Sequence, residues 1–213
     1  MAESSVAVRR RLRPAERRAE IVQVATSLIA ERGYNRLTLS ELAARAGITR
    51  AGLSHHFPTR EDVFVAVLES RDEADISHLL TEFDVAEPDR EVRTAEEFVE
   101  VLNALVRRNA VQPEIVRLYT VLGAEALAED HPAHDYFQRR LDESHAGMAK
   151  LASRWHPHPD ELSIEVHAYL DGIQLAWLRQ PSRDLFALWR PFAEALLSAH
   201  AGHASPLDRA AST

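Results

Sequence analysis

Arg50, Ser54, His55 and His56 set four hydrogen-bonding side chains within seven residues, with Ala51 and Gly52 between them. Polar tips separated by almost no side chain suit close approach to a grooved, acceptor-rich surface. The major groove of DNA, about 12 Å wide, is such a surface, and its base edges carry acceptors for these donors. Covalent catalysis asks for other residues. The chain has no cysteine and no Gly-x-Ser-x-Gly elbow, and no alternating stretch that would form the strand to carry one.

The residues on either side read as the frame that aims those tips. Thr38-Leu39-Ser40-Glu41 is a capping box, in which the Thr38 hydroxyl accepts from the Glu41 amide and the Glu41 carboxylate reaches back. Leu42, Ala43 and Ala46 form the apolar face of a short helix, and a side chain larger than Ala43 would push its neighbour away. Gly47 comes where the chain must leave that helix in a left-handed conformation. Ile48 fills the corner, Thr49 caps a second short helix, and Leu53 and Phe57 are its buried side. This is a helix-turn-helix whose second helix presents its polar tips outward.

Charge is divided unevenly along the chain. The whole carries a formal net charge of −8, yet residues 1–60 hold eleven arginines against five glutamates, and residues 61–213 are strongly acidic. A basic end supplies phosphate contacts, and an acidic remainder stays off the DNA. Without cysteine, disulfides and thiolate metal sites are excluded. The Arg-rich start lacks an apolar core of signal-peptide length, and no run approaches the ~18 apolar residues of a membrane span, so the expected location is the cytoplasm.

Helical periodicity runs through nearly the whole chain, and the expected fold is all-α with about nine helices. Residues 1–13 read as a disordered arm, either a solvated tail or a groove- or phosphate-seeking extension. Residues 14–58 form the DNA-binding domain, 59–201 a helical ligand-binding and dimerisation domain, and 202–213 a disordered tail. A helix starting at Arg60 carries Val63, Phe64, Val67 and Leu68, continuing through Ile76, Leu79 and Leu80. Residues 84–93, which include Pro88, form a loop. Further helices, the first opened by a second capping box at Thr94-Ala95-Glu96-Glu97, carry the stripes Phe98 to Val106, Ile115 to Ala126, and Tyr136, Phe137, Leu141, Met148, Leu151 and Trp155.

Residues 15–68 resemble the tetracycline-repressor (TetR) family of bacterial one-component regulators. The resemblance rests on Gly33-Tyr34, on Leu39-x-x-Leu42-Ala43-x-x-Ala46-Gly47-Ile48, and on Leu53-x-x-x-Phe57 followed by Arg60-Glu61. HPAHDYF at 131–137 and LDGIQLAWL at 170–178 look like one branch of that family's second domains. The resemblance implies a homodimer whose last two long helices pair with their mates as a four-helix bundle. It implies that Arg50 reads bases, that Ala51 and Gly52 lie against DNA, and that Thr38, Thr49 and Arg60 hold phosphates. Ser54 departs from the family's usual phosphate-touching tyrosine, so His55, His56 or the arm would carry more of the backbone binding.

The remaining residues divide between interface, pocket and core. Leu162, Val166, Tyr169, Ile173 and Trp177 recur at helical spacing, as do Leu185, Leu188, Trp189, Phe192 and Leu196. Faces this broad are expected to meet a partner copy, or else each other in a central helix pair. Leu102, Tyr119, Leu122, Phe137, His145, Met148 and Gln174 are the candidate pocket wall, apolar with a few polar tips. The pairs His131/His134 and His156/His158 lack the further ligands of a zinc site, so no metal and no cofactor is expected. The expected function is that of a repressor, not an enzyme, that binds a palindromic operator as a homodimer and is released by a small molecule. The alternative is an all-α ligand-binding protein or enzyme that uses the corner for protein contacts.

Overall fold

The computed structural model describes residues 13–82 and 92–200, apart from the side chains of Ile76 and residues 78–82. Among these residues the chain forms nine α-helices and one 3-10 turn, with no strand. Residues 1–12 of the expected arm, the tail and residues 84–91 of the expected loop lie outside the described residues, as do the side chains of Ile76, Leu79 and Leu80. The chain divides into two units, Met1–Val67 and Leu68–Thr213.

In the first unit, α1 (Pro14–Arg32) begins on a proline whose fixed φ suits a first turn. Ile21, Ala25 and Ile29, at helical spacing, are fully buried. Gly33, at φ 79°, ends the helix, and the 3-10 turn Tyr34–Arg36 follows. Helices α2 (Leu39–Arg45) and α3 (Arg50–His56) form the corner, and α4 (Arg60–Glu82) begins after Pro58. Thr59 and Asp62 close a reciprocal cap at its start: the Asp62 amide donates to Thr59 at 3.1 Å, and the Thr59 amide donates to Asp62 at 2.8 Å. The first turns of α4 belong to this unit, because Val63, Phe64 and Val67 are buried and Phe64 meets the Tyr34 ring edge-on at 5.8 Å. The division therefore falls within α4, not at Pro58.

The second unit takes up the rest of α4 with α5 (Ala95–Ala110), α6 (Pro113–Glu125), α7 (His134–Ala152), α8 (Pro159–Arg179) and α9 (Leu185–His200). Helix α7 lies along α8, and α5 lies along α9. Phe98, Leu102 and Val106 of α5 pack into one apolar cluster with the inner faces of α8 and α9. Trp189 is fully buried there and donates its indole N–H to Asn103 at 2.7 Å, which satisfies the ring's one polar group. Buried Arg71 is likewise matched, to Asp75 at 2.8 Å, Gln112 at 2.7 Å and Asn109 at 2.9 Å.

Several expectations need correction. Leu162, Val166, Ile173, Trp177, Leu185, Trp189 and Leu196 lie in the core of the single chain, and Tyr169, Leu188 and Phe192 pack half-buried against it. A side chain with almost no surface left has almost none to give a partner, so the seven core residues serve the single chain first, while Tyr169, Leu188 and Phe192 keep part of their surface. Periodicity identified the apolar stripe but not its cover, which α5 and α7 supply. The outward face of α8 carries Ile164, Ala168, Gly172, Leu175 and Ala176 instead, and that of α9 carries Ala187, Pro191, Ala195 and Ala199. Leu141 of α7 is exposed, because the inward place beside it is taken by Arg140. The carboxylates of Glu41 and Glu97 do not close their boxes: Glu41 pairs with Arg32, and Glu97 accepts from the Arg93 amide.

Candidate nucleic-acid interface

The corner is built from backbone geometry outward. Thr38 accepts from the Glu41 amide at 3.2 Å, which starts α2. At its far end the Ile48 amide donates to Ala43 at 2.9 Å and the Gly47 amide to Ala44 at 3.0 Å, a Schellman closure with Gly47 at φ 62°. Thr49 then accepts from the Gly52 amide at 3.0 Å and opens α3. Leu42, Leu53 and Phe57 are fully sequestered, and Ala43 is buried between the helices. The inner side of α3 is thereby anchored, and its opposite side is left to solvent.

On that outer side Arg50, Ala51 and His55 are exposed, while Gly52, Ser54 and His56 are half-buried. A Cβ at Gly52 would stand 3.2 Å from the Thr49 hydroxyl, so a larger residue presses on the cap. Arg50 donates from Nη1 to the Ser54 hydroxyl one turn along. Thr38 and Thr49 accept from amides yet keep their own O–H to donate, as a phosphate contact requires. Arg60 leans on its own helix, with its guanidinium 5.2 Å from the Phe64 ring centre and 3.7 Å from the Glu61 carboxylate.

Tertiary structure adds residues that spacing did not reveal. Burial and then the charges of His55, Arg17 and Arg18 hold His56 below the usual histidine range, so α1 brings two arginines near the α3 face. Arg18 also lies over the Phe57 ring at 4.7 Å. These residues are 38 or more positions from His56 in sequence, and only a pairwise signal between α1 and α3 could have found them.

The candidate pocket residues are distributed among different surroundings. Leu102 is buried in the apolar cluster and Met148 packs against it. Leu122 is buried, Gln174 is half-buried, and the Phe137 ring lies against Gly123. Tyr119 donates its hydroxyl to Asp72, which also receives Tyr136 at 2.8 Å and Arg140 at 3.1 Å. Burial pushes both tyrosine hydroxyls up, which keeps them as donors. His145 meets His167 edge-on at 5.1 Å, and Ser144 stands 3.3 Å from the His167 Nδ1. Sequence reasoning missed Asp72, Tyr136 and Arg140, since no local pattern joins one carboxylate to donors on distant helices.

The histidine pairs serve turns. His131 Nδ1 accepts from the Ala133 amide and His156 Nδ1 from the His158 amide, each at 3.1 Å. Among the described residues no group of three or more His, Cys, Asp or Glu is placed to hold a metal ion. Among them, too, no helix is long and apolar enough to cross a membrane.

Residues 21–67 match the family described as bacterial regulatory proteins, tetR family. The repressor KstR2 of Mycolicibacterium smegmatis is 40% identical over 55 residues, which cover 26% of this chain and 27% of that protein. The chain spans only about a quarter of the length of the first such relatives. The regulator AcrR of Shigella flexneri is 26% identical over 198 residues, covering 85% of this chain and 88% of that one. The chain also shares its fold with solved structures. One is Thermus thermophilus FadR, a TetR-family repressor in complex with lauroyl-CoA, at a TM-score of 0.62 and 17% identity, covering 89% and 97% of the two chains. The corner, with its turn closed on Gly47, thus lies within the stretch that matches the tetR family of bacterial regulatory proteins, and the helical fold is shared with a solved structure over most of the chain.

Proposed function

We propose that this chain is a transcriptional repressor that binds a palindromic DNA operator as a homodimer and releases it when a small molecule binds the second unit. The observation that carries this reading is the outer side of α3: small, polar and arginine-bearing, on a helix anchored from behind by Leu53 and Phe57. Arg50, Ser54, His55 and His56 face the groove, with Ala51 and Gly52 close to it, and Thr38, Thr49 and Arg60 hold the backbone.

The dimer forms through the outer faces of α8 and α9, where Ile164 and Leu175 remain exposed beside small residues. A two-fold protein matches a two-fold operator. A small-molecule effector is supported by the lauroyl-CoA held by the Thermus thermophilus protein of the same fold. Tyr119, Phe137, His145, Met148 and Gln174 are the half-buried candidates for its contacts, and Leu102 and Leu122 are buried candidates. Helix α4 contributes residues to both units and is the covalent route by which ligand and operator influence each other.

Selection of duplexes from a random pool tests the DNA reading, and failure to enrich any duplex at low salt would favour a corner used for protein contacts. Screening for compounds that release the selected duplex then tests the effector. Coupling of about 1–3 kcal/mol weakens DNA binding roughly 5–150-fold, and the operator must weaken ligand binding by the same factor. Equal ligand affinity with and without operator in calorimetric titration would exclude such coupling.

A further inference from the structure

The described arginines of the first unit differ in how they are held, and Arg18 lies over the Phe57 ring. Arg13, Arg17, Arg32, Arg45 and Arg60 each face a carboxylate within ion-pair distance. Such a partner fixes the side chain but offsets its positive charge. Arg50 instead donates from Nη1 to the neutral hydroxyl of Ser54, four residues on along the outer face of α3. The hydroxyl restrains the guanidinium and leaves its charge whole.

We propose that Ser54 is a positioning residue that aims Arg50 at a guanine in the major groove. The inference rests on the DNA-binding reading above and extends it to one base. Guanidinium has five N–H donors in a fixed fork, and the contact with Ser54 uses one hydrogen of Nη1. The second hydrogen of Nη1 and both of Nη2 remain, enough to meet the O6 and N7 acceptors of one guanine together. Ala51 and Gly52 place only a methyl group and a hydrogen beside this fork, and the Thr49 oxygen accepts from the Gly52 amide. An arginine free in solvent loses rotamer freedom when it binds a base, whereas one already restrained loses less. Serine is short enough to hold Arg50 without extending past it, so its effect is on which base is read and not on how many phosphates are touched.

The test begins with a duplex selected by the wild-type chain from a random pool. Wild type, Ser54→Ala, Ser54→Thr, Arg50→Ala and the Arg50→Ala/Ser54→Ala pair are then measured by fluorescence anisotropy. Each is titrated on that duplex, on its single-base variants and on an unrelated duplex. Ser54→Ala is expected to lose roughly fivefold or more of the preference for one guanine per half-site. Its affinity for the unrelated duplex falls less than its affinity for the selected one, and Ser54→Thr retains the preference. In the Arg50→Ala background, loss of the Ser54 hydroxyl changes nothing further. Alanine favours helix at this position, so the variants fold. Uniform weakening on every duplex, unchanged preference in Ser54→Ala, or additive effects of the two substitutions would each overturn the proposal while leaving DNA binding standing. A wild-type chain that enriches no duplex at all removes the DNA-binding reading itself, and the role of Ser54 with it.

Discussion

The Tyr119 hydroxyl lies 2.6 Å from the Asp72 carboxylate and donates to it, joining α6 to the second half of α4. Tyr136 and Arg140 of α7 donate to the same carboxylate, and Arg140 lies over the Tyr119 ring at 4.3 Å. One acidic side chain thus ties three helices of the second unit.

Asp72→Ala should destabilise the second unit by roughly 1–3 kcal/mol, because two tyrosine hydroxyls lose their charged acceptor. Asp72→Asn keeps one acceptor oxygen and should cost less. The midpoint of urea unfolding measures both, and equal midpoints for Asp72→Ala and wild type would show that the contact contributes nothing net.

Gly47→Ala should cost about 1–2 kcal/mol, since φ 62° crowds a Cβ against the backbone. The loss should appear as a lower thermal midpoint of the first unit together with weaker DNA binding. Ala43→Leu should cost a similar amount by overpacking the corner, about 1–3 kcal/mol.

Gly172→Arg should give a helical monomer. A Cβ at Gly172 meets nothing within 4 Å in the single chain, so the protomer tolerates the side chain while a partner copy would not. Ile173→Asp, by contrast, places a charge in the core and should unfold the second unit. Light scattering with circular dichroism separates the two outcomes, and a Gly172→Arg dimer would put the interface elsewhere.

Stability should fall as pH drops below about 6.5, the ordinary histidine value. His56, His156 and His167 are all held below it, in each case first by burial, so the unfolded chain binds their protons more readily. Their contribution is complete above pH 6.5 and is lost as pH falls through the depressed values. His167→Gln removes one of the three and should flatten the decline in thermal midpoint; a profile identical to wild type would assign the loss to other groups. DNA phosphates oppose the arginine charges around His56, so operator binding should take up a proton and weaken with rising pH.

Arg60→Ala should weaken binding to all duplexes about equally and lower the salt slope by about one per subunit. Its guanidinium sits at the start of α4, over the Phe64 ring of that same helix. A change in base preference with this variant would contradict that role.

Short-range rules sufficed for the corner and for the helices. Thr38, Thr49 and Thr94 cap where their types and spacing place them, Gly47 takes the left-handed turn, and the core-facing residues of α1 recur at the helical period. Each of these depends on atoms within a few residues of one another, which is the distance over which sequence alone determines energy. The fates of Glu41 and Glu97, the apolar stripes of α8 and α9, and the Asp72 cluster were decided elsewhere. A carboxylate at helical spacing has several partners within reach, and which one it takes depends on what the fold brings beside it, as Arg32 is brought to Glu41. An apolar stripe likewise calls for a cover without naming one. Burial of Leu162, Val166 and Trp189 within one chain was settled by α5 and α7 packing over them, and the same packing left Gly172 and Leu175 facing outward.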